Sequence, residues 1–276
     1  MDAPSSKRCY GLYEEFNNAE LERPVKAQKI NGHQGCPRAK DYDNITQEFL
    51  AAAAGDYQAR ICTKVPVPDH QQEIEILHLS WAYACKKTGV NLKMTPQLLK
   101  MGYYFALPFR GELKTKLCPL VEIMCEFSTG HNKAAIKKNR DHAEVLKDGV
   151  NFAYRGCSHS TLANRQSDRH GIFKAPILQK ATNVMWFANK HDEGVTFPEH
   201  FKPFPMVTIA LLLTAVHATN CIDKWATGIR TDIPFTINEY KSVFEAHIKT
   251  LKEFDEHTKE HKLFTKICSR LYNNGR

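Results

Sequence analysis

The stretch from Phe204 through Met206-Val-Thr-Ile-Ala-Leu-Leu-Leu-Thr-Ala-Val-His-Ala218 to Trp225-Ala-Thr-Gly228 constrains the fold more than any other part of the chain. Pro205 suits a first helical position, where its missing N–H costs nothing, and Gly228 suits the residue just past a helix end. Between them apolar residues cover nearly the whole circumference of a helix, so a segment of about 205–227 must be enclosed by other elements. A membrane span is the rival reading. It fails because a bilayer asks for ~20 apolar residues and this run is interrupted by Thr208, Thr214 and His217.

The 276 residues suffice to bury roughly 70–75% of the surface their unfolded chain exposes, so neither metal nor disulfide is needed to hold a core. A content of 42% hydrophobic and 25% charged residues excludes a disordered chain. The nine cysteines are scattered, odd in number and never in a CxxC pair, and Cys85, Cys118, Cys125 and Cys221 fall on apolar helical faces. Without a signal peptide at the amino terminus, this reads as an intracellular protein with reduced thiols.

Residues 1–40 carry Pro4, Pro24 and Pro37 and several glycines without periodicity, so they read as an irregular arm, and 41–276 as one domain. A helix opens after Asn44 as cap, with Gln47 at the third position, and runs to about Cys62. Asp69 caps a second helix that ends at Gly89, and Thr95-Pro96 opens a third. A fourth spans Gly111 to Phe127 with Pro119 kinking or splitting it. Asn132 to Lys147 is a polar helix, 154–171 a loop, and Phe173 to Asn189 a helix again. After the central helix, Thr236-Ile-Asn-Glu239 is a capping box, and a last helix lies around Lys262 to Tyr272. No strand alternates convincingly. The expected fold is all-α, an irregular bundle of eight or nine helices around the buried one.

Thirteen histidines invite a metal reading. The richest neighbourhood is Cys157, His159, His170, His191, Asp192, Glu193 and His200, within which His159, His170, His191 and Glu193 would be the ligands of any ion. Within that neighbourhood no pair has the His-x3-His spacing that puts two ligands on one helical face, so exposed loop histidines are the plainer reading, and no cofactor is called for. The doublet His191-Asp192, with His170 and Asp223, also suggests a metal-dependent phosphohydrolase, but it follows a helix end where a polar turn is expected. In the central helix His217 and Asp223 interrupt apolar surface and, with Tyr240, are the candidates for a pocket. Asp223-Lys224-Trp225 otherwise reads as surface. Adjacent His159 and Ser160 do not make a dyad, which geometry alone defines. GxGxxG, P-loop and HExxH motifs are absent, and this weighs against catalysis without deciding it.

Charge is more informative. Between residues 131 and 174 nine basic residues stand against four acidic ones, which gives +5 of the chain's total of +8. Lys133, Lys137, Lys138, Arg140, Arg155, Arg165 and Arg169 are the candidate contacts to nucleic acid or an acidic protein, positioning phosphates without reading bases. The plainer alternative is a solvated basic face.

The sequences Arg38-Ala-Lys-Asp-Tyr-Asp43, Arg110-Gly-Glu-Leu-Lys-Thr-Lys116 with Pro119-Leu-Val-Glu122, and Trp186-Phe-Ala-Asn-Lys-His-Asp-Glu-Gly194 recur in one order with Ile209-Ala-Leu-Leu-Leu-Thr-Ala215, Trp225 to Phe235, Tyr240 and His247. Over about residues 38–276 they resemble an uncharacterised all-helical domain found in many copies in mushroom-forming fungi. The resemblance implies an intracellular helical module of fungal origin. It carries no catalytic residues, activity or ligand to this chain, and the matching motifs are mainly caps, core and turn residues. The reading is therefore a non-enzymatic, intracellular binding module expected in the nucleus. A metal-dependent hydrolase or small-ligand-binding helical enzyme, using the His/Cys/acidic cluster of residues 157–200 or a pocket beside the central helix, is the first alternative. A homo-oligomeric scaffold docking through Tyr10, Tyr13 and Phe16 is the second.

Overall fold

The computed structural model describes residues 24–30, 38–103, 107–155, 169–218, 222, 225–229 and 237–276. Among them are eleven α-helices, and β-structure is limited to three isolated bridges. The helices are α1 (Asn44–Thr63), α2 (His70–Thr88), α3 (Pro96–Tyr103), α4 (Leu107–Met124), α5 (Lys133–Lys147) and α6 (Pro176–Trp186), then α7 (Glu193–Thr196), α8 (Pro198–Phe201), α9 (Met206–Ala218), α10 (Ile237–His257) and α11 (Leu263–Gly275). The all-α bundle expected from the sequence is the fold observed. Short polar turns at 193–201 add the two four-residue helices α7 and α8.

Helix α9 is the centre. Ile209 through Leu213, Ala215 and Val216 are all buried, and its polar residues are bonded inward: the Thr208 hydroxyl donates to the Cys62 carbonyl (2.9 Å) and Thr214 to Ala210 (2.7 Å). A fully enclosed helix can carry such hydroxyls because each finds an acceptor. The helix is also shorter than the sequence suggested, ending at Ala218, and Ile222 and Trp225–Ile229 lie in bends and turns. At 13 residues α9 is ~20 Å long, and no described helix is long and apolar enough to cross a membrane.

Around α9 a large core gathers side chains of α1, α4, α6, α10 and α11. A second, smaller core holds Phe49, Leu50, Ala53, Trp81, Ala84 and Leu92 between α1, α2 and α3. Helix α1 serves both, Phe49 to Ala53 in one and Tyr57 to Cys62 in the other, which explains its apolar residues on opposite sides. The fully buried Asp56 ties α1 to α8: it accepts hydrogen bonds from Arg60 (2.5 Å) and pairs with His200 (3.2 Å). Burial would raise its carboxyl, but the bonds from His200 and Arg60 outweigh that and hold its pKa below the usual value. Burial pushes the thiols of Cys62 and Cys268 up, the latter to about 12, so these free cysteines are inert packing groups.

Several local expectations hold and several need correction. Asp69 forms the capping box with Gln72, and Gly89 ends α2 at φ +70°. The cap of α1 is Asp43, which accepts from the Thr46 amide, rather than Asn44, because Gln47 turns back to the Tyr42 carbonyl. Helix α4 begins earlier, at Leu107, and runs through Pro119 unbroken, and α11 continues to Gly275. Trp225 is core, not surface, stacked on Phe127 at 5.1 Å with 4° between the rings. Thr236 of the expected capping box lies outside the described residues, as do Tyr10, Tyr13 and Phe16 of the arm.

Candidate functional site

Helix α5 explains its own exposure. Asn132 caps it, its side chain accepting from the Ala135 amide (2.8 Å), and at about 100° per residue Asn139, Ala143 and Leu146 fall together on the buried side. Lys133, Lys137 and Arg140 fall on the opposite side at spacings of four and three, with Glu144 one turn further on and Lys138 on the flank. All five are exposed. Arg140 lies 3.6 Å from the carboxylate of Asp141, a weak screened contact, whereas Lys133, Lys137 and Lys138 have no acidic partner among the described residues.

The helix is held in place from its buried side. The Asn139 amide, 1% exposed, donates to the carbonyls of Ser128 (2.7 Å) and Gly228 (3.1 Å) and accepts from the Ser128 N–H (2.9 Å). Asn139→Ala leaves those buried groups unpaired and should cost roughly 2–3 kcal/mol, read as a lower denaturation midpoint at unchanged slope.

The other predicted contacts do not all join this stripe. Arg169 is engaged, its guanidinium paired with Asp148 (3.1 Å) and set 6.0 Å over the Tyr154 ring. Arg155 is fixed by its backbone: Tyr154 bridges to Ile172, the Arg155 N–H donates to the Gly171 carbonyl (3.1 Å), and Ala175 donates to Ala153 (3.3 Å). Its charge falls near Arg270 of α11, where burial and then Arg155 lower the arginine pKa. Sequence reasoning missed Arg270, since nothing in the linear order links α11 to residue 155. Arg165 lies outside the described residues.

Among the metal candidates, His170 precedes α6 while His191 and Glu193 follow it, eleven helical residues apart, and His159 lies outside the described residues. The His191-Asp192 doublet is a turn, in which the Asp192 carboxylate accepts from the Asn189 N–H at 2.8 Å. Burial raises the Glu193 pKa. Among the described residues no group of three or more His, Cys, Asp or Glu side chains is placed to hold a metal ion.

Beside the central helix, His217 of α9 meets His247 of α10 with ring centroids 5.6 Å apart, and Phe152 stands edge-on to both at 6.1 and 6.2 Å. Tyr240 is also buried on α10, and Asp223 lies outside the described residues. Burial, then the neighbouring His217, lowers the His247 pKa to about 4. A neutral imidazole is a competent base in principle. With 4% of its surface exposed, His247 is enclosed in this arrangement, while His217 is half-buried. The spacing Tyr240, Phe244, His247, Leu251 is the sequence signal that places His247 on the buried side of α10.

One protein family, described as a domain of unknown function (DUF6532), matches residues 52–254. No curated protein and no solved structure matches the chain.

Proposed function

The chain belongs to that family of unknown function, and from this premise we propose that it is a non-enzymatic binding module whose basic segment 131–174 contacts nucleic acid or an acidic protein. The observation that carries the reading is the stripe on α5: Lys133, Lys137 and Lys138 stand exposed without acidic partners on a helix whose opposite side is anchored by Asn139. A helix so fixed presents its cations in constant register. They neutralise phosphates at little ordering cost and make no contact that would distinguish one base from another. Arg140 and Arg155 extend the surface, whereas Arg169, occupied by Asp148 and Tyr154, is a positioning residue that braces the residues next to Arg155. On this reading the protein acts inside a fungal cell, on a nuclear polyanion.

The test is binding to random-sequence duplex DNA over a range of salt. Five phosphate contacts give a log–log slope of about −4.5, and Lys137→Glu/Lys138→Glu should lower it by about 2 and weaken binding at least tenfold, equally for every sequence. Salt-independent binding, or affinity unchanged in the double variant, would overturn the assignment.

A further inference from the structure

We propose that a cavity of about 380 Å3, remote in sequence from the basic segment, is a binding site for a small phosphate-bearing anion. Its walls carry Lys26, Lys29 and Lys93 together with Tyr42, Thr95 and Gln97, and among the described residues no carboxylate lines it. Three lysines from two distant parts of the chain line one concavity of ligand size.

The backbone explains how. Residues 24–30 are stitched to the body at both ends. Val25 donates to the Asn91 carbonyl and accepts from the Lys93 N–H, both at 2.8 Å, while Ile30 donates to Asp41 (2.8 Å) and Asp43 donates to Gln28 (3.0 Å). These bridges pair Val25 with Leu92 and Lys29 with Tyr42, and both Leu92 and Tyr42 are buried in the second core. The lysines are therefore mounted on a fixed floor rather than on a swinging strand.

Ordinary surfaces disperse like charges among acids, because neighbouring ammonium groups repel. Here the local acids are otherwise engaged. Asp41 is 3% exposed and accepts from the Arg38 N–H at 2.9 Å, and Asp43 caps α1. None of the three lysines has a partner among the described residues. The repulsion is relieved by an anion, and lysine is a natural phosphate binder as a point charge. Thr95 precedes α3 and its hydroxyl accepts from the Leu98 amide (3.4 Å), so the start of the helix adds a favourable dipole and the Gln97 side-chain amide to the cavity wall. Ala27 and Tyr42 supply an apolar wall, which suits the organic portion of a phosphate ester.

The experiment is calorimetric titration of the full chain at low salt with inorganic tripolyphosphate and, in a second arm, ATP. We expect one-to-one saturable binding, weakened at least tenfold in Lys29→Ala/Lys93→Ala and also in Lys26→Ala/Lys93→Ala. These lysines are exposed and their backbone bonds survive substitution, so an unchanged melting temperature certifies the fold. Lys137→Glu/Lys138→Glu should leave the affinity within about twofold, which separates this site from the α5 surface. Tighter binding of ATP identifies an organic phosphate as the ligand class, and equal binding identifies the phosphate chain alone; both support the site. Absence of saturable heat with either probe, affinity unchanged in both lysine variants, or loss in the Lys137/Lys138 variant instead would overturn it.

Discussion

Gly228→Ala is expected to destabilise the protein by more than about 3 kcal/mol and lower its melting temperature by roughly 5–10 °C. Two independent costs combine. Gly228 sits at φ +84°, left-handed backbone in which an L side chain costs ~1–2 kcal/mol. A Cβ built there would also lie 2.1 Å from the Ile136 carbonyl oxygen and 2.7 Å from the Ile136 side chain, so the turn after Trp225 and helix α5 would have to separate. Asn139 bonds the Gly228 carbonyl from the same helix, and separation would break that bond too. The damage therefore reaches the basic stripe: a thermal melt should show the loss, and affinity of the folded fraction for duplex DNA should fall with it. An alanine variant melting within a degree or two of the wild type would refute the close approach.

The second large effect is acid lability. The His247 pKa is lowered from 6.5 to about 4 in the folded chain, so the unfolded chain takes up the proton first as pH falls. The stability this neutral imidazole contributes is fully present above about pH 6.5 and is lost as pH drops towards 4. It amounts to about 3 kcal/mol. His217 faces His247 from α9 and Phe152 faces it from the short 3-10 segment after α5, so a proton on His247 would meet a second imidazole and no acid in either contact. His247→Leu, with no ring to protonate and no buried ring nitrogen lacking a partner, should flatten the pH 4–6.5 limb of the stability curve. If urea midpoints of wild type and variant fall in parallel across that range, the burial of His247 is not what makes the protein acid-sensitive.

The two effects differ in what they say about function. Gly228 lets α5 dock closely, so its substitution couples stability to the binding surface. The histidine pair packs α9 against α10 and should leave the salt dependence of binding at neutral pH untouched. Of the residues named for a helical enzyme, His217 packs against His247 and the Asp192 carboxylate accepts from the Asn189 N–H, while Asp223 lies outside the described residues.

Local chemistry was legible in the chain itself. The unbroken apolar circumference of residues 206–218 demanded enclosure, because a helix without a polar side has nowhere else to go, and the bundle around α9 is the result. The cap at Asp69 and the stop at Gly89 were readable for the same reason: each acts within four residues of itself. The exposed lysines of α5 followed from helical periodicity once the apolar stripe was found.

What remained was decided by tertiary contacts, which linear order does not encode. Trp225 looked like surface beside Asp223 and Lys224 but became core because Phe127, about a hundred residues earlier, offers its ring face. Arg169 looked like a free contact until Asp148 and Tyr154 claimed it, and Arg270 gained its place only because α11 folds back to residue 155. The lysine-lined cavity is the extreme case. Lys26, Lys29 and Lys93 are unremarkable in their own segments, and only the bridges of residues 24–30 to 41–43 and 91–93 converge them, since backbone pairing between distant segments obeys no periodicity that a sequence displays.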